Sequence, residues 1–201
     1  MSRFSMWVAK GAAVLGLALS LSACGINTVP RQDEQVKAAW SQVQNEYQRR
    51  SDLVPNLVAT VKGYAAQEKS VLTQVTEARA HATQTTVNLP PDVTSNPQAF
   101  QKFEQSQNQL TQALGRLMVV VERYPDLKSN QNFLALQSQL EGTENRIAVA
   151  RKDYIDSVQT YNTTLRTIPQ RWIAAIFYPD AKVKQTFTAA EPAQTAPHVQ
   201  F

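Results

Sequence analysis

Residues 129–169 read SNQNFLALQSQLEGTENRIAVARKDYIDSVQTYNTTLRTIP, and the fold turns on them. An apolar or aromatic side chain returns every seventh position, at Phe133, Leu140, Ile147, Tyr154, Tyr161 and Ile168, before Pro169 stops the run. A seven-residue period lines these side chains along one stripe of an α-helix and suits packing against neighbouring helices.

Working outward, the preceding stretch opens after Ser95-Asn96-Pro97, carries Phe103, Leu110, Leu114, Leu117 and Val121 on one face, and ends near Tyr124-Pro125. Further upstream, Val36, Trp40, Val43 and Tyr47 share a face between Gln32 and Arg50, and Leu57, Val61, Tyr64, Val71 and Val75 form a stripe ending before Asn88-Leu89-Pro90-Pro91. Between Gln32 and Ile168 only Gly63, Gly115 and Gly142 interrupt a composition rich in helix formers, and alternating β-branched runs between tight turns are missing. The expectation is an all-α fold, an antiparallel up-and-down four-helix bundle with coiled-coil-like packing. Its first turn falls at Ser51–Val54, with Asp52 as N-cap and Pro55 in the first turn of the second helix. An alternative keeps the register through Pro55: three long helices, the first kinked there and running from Gln32 to Val87. That rod would overhang its neighbours and leave the Trp40 stripe wet unless a second copy covered it. Downstream, the apolar cluster Trp172–Tyr178 is expected to pack across one end of the bundle.

The N-terminal segment is of a different kind. Arg3 and Lys10 precede Gly11–Ala23, thirteen residues without a charge, as in a secretory leader. Thirteen residues make ~20 Å of helix against a hydrocarbon core of ~30 Å. Leu21-Ser22-Ala23-Cys24 then Gly25 resembles the lipobox of bacterial lipoproteins, and Cys24 is the only cysteine. The expected organisation is a lipoprotein signal peptide over 1–23, an acylated N-terminus and tether over 24–31, a helical body over 32–188 and a disordered tail over 189–201. The partner this implies is a membrane, held through acyl chains on Cys24. Gly25 after the cysteine favours the outer membrane where two are present.

Without its first 23 residues the chain keeps 18 basic and 16 acidic side chains, so the net charge falls from +4 to +2. A balanced surface is a poor phosphate binder, and nucleic acid is not expected as a partner. One cysteine and two histidines, His81 and His198, exclude a zinc finger and a disulfide framework, and the Glu-x-x-His repeats of a di-iron bundle are missing. The expectation is no metal, no cofactor, no catalytic residue set and no enzymatic activity.

Charged residues that the heptads place at the interior or its border are Arg50, Glu68, Glu144 and Arg151. A buried charge is tolerated only when paired, so these four read either as a layer that fixes register or as a polar binding site between helices. Tyr124, Asp126 and Lys128 in a turn-forming segment are a candidate recognition loop, or simply a helix–helix turn. Glu141 and Asn145, one turn apart with Glu144 and Arg146 beside them, suggest solvated pairing within the helix.

Several blocks together resemble the LemA family: Ala39–Val43, Arg49-Arg50 with Asp52–Val58, Val61–Ala65, Leu114–Leu117, Glu122–Lys128, Asn130–Phe133, Leu140–Ala148, Ala150-Arg151 with Tyr154, and Tyr161-Asn162. They follow one another in order over about residues 32 to 187. The resemblance implies a membrane-associated, mostly helical bundle facing the periplasm or cell exterior, and brings no established activity. The chain departs from the family pattern in carrying a lipobox cysteine in place of a longer spanning helix, and Ser51 where relatives often have His. The functional expectation is a membrane-anchored envelope lipoprotein, a non-enzymatic scaffold or adaptor for another envelope protein, able to form homo-oligomers. The alternative is a small-ligand or ion-binding bundle with a polar interhelical site.

Overall fold

The computed structural model describes residues 25–188; the expected leader, Cys24 and the expected disordered tail from residue 189 lie outside the described residues. Every regular element in that span is helical. Helix α1 runs Thr28–Tyr64, α2 Lys69–Val87, α3 Pro97–Val121, the four-residue α4 Pro125–Lys128, α5 Gln131–Arg166 and α6 Gln170–Phe177, with a 3₁₀ turn at Val93–Ser95. Asparagines start two of them: the side chain of Asn96 accepts from Ala99 N at 3.2 Å ahead of Pro97, and that of Asn130 accepts from Phe133 N at 3.0 Å.

The long helices pack in opposed pairs. Trp40 meets Tyr154, Arg50 meets Glu144 and Tyr64 meets Asn130, so α5 runs antiparallel to α1 along nearly its whole length. Ser51 reaches Thr83 on α2, which folds back beside α1, while Trp40 with Phe100 and Arg50 with Thr111 set α3 in the same direction as α1.

The turn expected at Ser51–Val54 is absent, and α1 continues through Pro55. Proline removes the N–H that would bond the carbonyl four residues back and normally breaks a helix interior. Here that carbonyl, Ser51 O, accepts from Arg79 Nε of α2 at 2.9 Å. The rod to Val87 is absent too, because the chain turns at Ala65–Glu68, with Ala65 buried at the corner. Beyond the corner the stripe restarts on Leu72, Val75 and Ala82, which is why Tyr64 is exposed and Val71 only partly covered. The Trp40 stripe is dry because α5, at 36 residues, matches α1, at 37. Trp40 is enclosed by Phe100, Phe103, Tyr154 and Phe187.

Trp172–Tyr178 also departs from expectation. The segment forms α6, but only Ala174 of that helix is buried, and Trp172, Ile176 and Phe177 face outward. Phe187, from the extended stretch 181–188, enters the aromatic cluster instead, and its neighbours are tied down. Tyr154 Oη donates to Gln185 O at 2.8 Å, Asn162 exchanges two hydrogen bonds with the Lys184 backbone, and Gln185 N donates to Thr94 O at 2.7 Å. Ile168, the last member of the heptad series, lies past the end of α5 and is exposed.

Candidate functional site

The core divides in two. One cluster holds Trp40, Phe100, Phe103, Tyr154 and Phe187; the other holds Leu57, Leu110, Leu117, Leu127 and Phe133. Between them lies a polar layer centred on Arg50, which is 1% exposed. Its Nη1 donates to Thr111 Oγ1 at 2.8 Å and Glu144 Oε1 at 3.1 Å, and its Nη2 to Gln107 Oε1 at 2.8 Å and Gln107 O at 3.1 Å. The guanidinium carbon stands 4.9 Å from the centre of the Tyr47 ring. Glu144 keeps 41% of its side chain in solvent, so the pair is buried at one end and wet at the other. Arginine suits this place because its planar fork satisfies several fixed acceptors at once.

One turn earlier on α1, buried Glu46 accepts from Arg146 Nε of α5 at 3.0 Å, and Arg146 Nη2 donates to Thr143 Oγ1 at 2.7 Å. The two crossings have opposite polarity: acid on α1 with base on α5, then base on α1 with acid on α5. Sliding α5 by one turn in one direction brings Arg50 opposite Arg146; sliding it in the other brings Glu46 opposite Glu144. Both slips oppose like charges, so the four residues specify a single register.

The remaining candidates do not join this layer. Glu68 sits at the α1–α2 corner, 3.1 Å from Arg123 Nη2, and accepts from Tyr124 Oη at 2.9 Å. Tyr124 also accepts from Gln67 Nε2 at 2.9 Å, so the candidate recognition loop and the corner are stitched together. Lys128 pairs with Glu122 at 2.6 Å, Asp126 is exposed in the first turn of α4, and Leu127 is fully buried. Arg151 lies elsewhere again, with its guanidinium carbon 4.3 Å from the centre of the Phe187 ring and a nitrogen 3.7 Å from Glu104, whose Oε1 also accepts from Thr188 N. Arg146 pairs across helices and Glu141 accepts from Gln137, in place of the expected pairing with Asn145.

A cavity of about 790 Å³ opens between the start of α1, the linker after α2 and the stretch around 177–184. Its walls include Trp40, Pro90, Tyr161 and Tyr178, and at its side Asp33 binds Lys184 at 2.8 Å and Lys37 at 2.9 Å. Burial raises the Asp33 carboxyl, but the hydrogen bonds and charges of Lys184 and Lys37 outweigh it and hold the group below the usual carboxylate range. Burial also pushes the Tyr161 hydroxyl up to about 12. Nothing in the sequence marks Asp33 and Lys184 as a pair, since 151 positions separate them and neither interrupts an apolar stripe. Gln107 was visible in principle, as a polar side chain between Phe103 and Leu110. Among the described residues no group of three or more His, Cys, Asp or Glu side chains is placed to hold a metal ion, and no helix is long and apolar enough to cross a membrane.

Comparison with known proteins adds the family. The LemA family profile matches residues 39–201. Magnetosome protein MamQ 2 of Paramagnetospirillum magneticum is 28% identical over 166 residues, covering 75% of this chain and 60% of the relative. Magnetosome protein MamQ of Magnetospirillum gryphiswaldense is 26% identical over 157 residues, with 71% and 58% covered. Protein LemA of Metamycoplasma hominis is 23% identical over 141 residues, with 70% and 59% covered. The chain thus spans about 60% of the length of these curated relatives. With the profile extending over most of the sequence, the chain belongs to the LemA family.

Proposed function

We propose that this protein is a cell-envelope lipoprotein, anchored by acyl chains on Cys24, whose helical body is a non-enzymatic scaffold or adaptor for another envelope protein. The observation that carries the anchor is Leu21-Ser22-Ala23-Cys24-Gly25, with the charged start and apolar run ahead of it. More than one acyl chain gives stable attachment, where a single chain is marginal. The body is read as an up-and-down four-helix bundle with coiled-coil-like packing, facing the periplasm and sorted to the outer membrane where two membranes exist. The scaffold reading is supported by the way its inner charges are used: Arg50, Glu46, Glu144 and Arg146 bind one another across helices.

The anchor is tested by growing cells with a fatty-acid analogue: Cys24→Ser is expected to abolish labelling, and a labelled mutant sinks the lipoprotein reading. The scaffold role is tested by crosslinking in intact cells and mass spectrometry of the captured proteins. A ligand-dependent turnover of the purified protein that disappears in Glu144→Gln would overturn it.

The 790 Å³ cavity supports a second reading, a small-ligand site at Asp33, Lys37 and Lys184. It differs in place from the site expected at Glu68, Glu144 and Arg151, which lie apart. Soaking crystals with a metabolite mixture and finding the cavity empty would count against it.

A further inference from the structure

Helix α6 presents an apolar face with no covering residues among those described. Ile168, just ahead of it, and Trp172 and Ile176 within it follow one another at intervals of four, and they are 63%, 61% and 73% exposed. Phe177 and Val183 add to the same exposed set. Isolated exposed apolar side chains are ordinary, but a contiguous group that includes a tryptophan marks a contact surface.

Two observations identify the occupant. First, Gly25 lies directly against the covered side of α6: a methyl group built on it would stand 2.9 Å from Gln170 Nε2 and 3.4 Å from Ile173 Cδ1. Cys24, the residue before Gly25, is therefore attached to the body beside this helix. Second, residues 157–188 carry Arg166, Arg171, Lys182 and Lys184 against the single acid Asp180. Lys184 is taken by Asp33, which leaves exposed Arg166, Arg171 and Lys182 near the apolar face. Apolar side chains with a tryptophan, flanked by basic ones, match the boundary between acyl chains and anionic headgroups.

We infer that the Trp172–Ile176 face of α6, with Ile168 in the turn ahead of it, lies in the surface of the bilayer that holds the protein, docking the body against the membrane next to its tether. The inference rests on membrane attachment at Cys24. It goes beyond attachment in giving the body an orientation, with the α4 end, on the far side of the long helices, directed away from the lipid.

The test uses the full chain with Trp7→Phe, so that Trp172 and the buried Trp40 are its only tryptophans. The protein is isolated from membranes and reconstituted at low density into vesicles of phosphatidylcholine and phosphatidylglycerol. Flotation reports attachment, and the same chain with Trp172→Phe gives the Trp40 signal to subtract. The expected result is flotation with blue-shifted Trp172 emission, quenching by brominated acyl chains and loss of quenching by aqueous iodide. Ile168→Glu with Ile176→Glu, both at exposed sites, should restore iodide quenching while flotation persists. Flotation with iodide-quenched Trp172 overturns the docking and leaves attachment standing. Quenching by neither agent also overturns it, because protein then covers the face. Failure to float defeats attachment and docking together.

Discussion

The guanidinium of Arg79 on α2 donates to the carbonyl oxygen of Ser51 on α1, the acceptor that Pro55 leaves without its helical partner. Ser51 is bound a second time, by Oγ to Thr83 Oγ1 at 2.9 Å. A proline in the interior of a 37-residue helix is thus tolerated because the neighbouring helix supplies the missing donor. Arg79→Met should destabilise the protein by about 1–2 kcal/mol, the cost of an unsatisfied buried carbonyl. In a Pro55→Ala background Ser51 O regains a backbone donor, and the same substitution should cost much less. Urea denaturation of the four proteins of this cycle gives the coupling, and equal costs in both backgrounds would show that Arg79 does not act through Ser51 O.

The same contact explains where sequence and structure part. The apolar stripes on α3 and α5 were legible because burial imposes a seven-residue period directly, and the residues from Phe133 to Tyr161 in that series are buried as the period requires. The break in the first half was not legible, because the local signal, Asp52 ahead of Pro55, is a good helix start. What overrides it is Arg79, 28 positions away. The actual corner at Ala65–Glu68 follows Gly63 by two residues and carries no proline. In the polar layer, Arg50 and Glu144 were visible as charges on an apolar face, whereas the pairing of Glu46 with Arg146 depends on which turns of two antiparallel helices meet. Glu68 and Arg151 carry the same charge-on-a-stripe signal, yet each is satisfied locally by a different partner.

Removing one member of the Arg50–Glu144 pair should cost more than removing both. Glu144→Leu leaves a guanidinium that is 1% exposed without its counter-charge, and because Glu144 is 41% exposed the cost is about 2 kcal/mol, below that of a fully buried pair. Glu144→Gln retains an acceptor and should cost about 1 kcal/mol. Arg50→Met combined with Glu144→Leu should be more stable than Glu144→Leu alone, as seen for buried pairs replaced by apolar residues. Chemical denaturation reads all three, and a double variant less stable than Glu144→Leu would contradict the account.

Asp33 predicts a pH dependence of defined sign. Its folded-state pKa lies below the ordinary value, the bonds and charges of Lys184 and Lys37 overcoming the opposing effect of burial. A depressed carboxylate contributes stability that is fully present above about pH 5 and is lost as pH falls through the folded-state pKa. The side chain is 24% exposed, so solvent screening keeps the contribution near about 1 kcal/mol or less. Asp33→Asn should lower stability at neutral pH by that amount and flatten the fall in stability below about pH 4. Thermal melts across this range measure it, and an unchanged acid limb would remove Asp33 from the account.

Phe187 closes the aromatic cluster from an extended segment, with ring centroids 5.0 Å from Phe100, 5.6 Å from Tyr154 and 6.2 Å from Trp40. Arg151 rests on its outer face, so the ring is held from both sides. Phe187→Ala should destabilise by about 3 kcal/mol, combining lost burial with the cavity left behind. Phe187→Leu keeps most of the volume and should cost about 1 kcal/mol. The variants also separate two roles of the segment. If the hydrogen bonds from Tyr154 and Asn162 hold the segment by themselves, hydrogen exchange at the Lys184 and Gln185 amides stays slow in Phe187→Ala. If Phe187 is the latch, those amides exchange rapidly while α1 and α5 remain protected, and the 790 Å³ cavity, whose wall includes Lys184, loses one side. The packing favours the latch, because the Phe187 ring is buried in the aromatic cluster while Lys184 and Gln185 themselves are only partly covered.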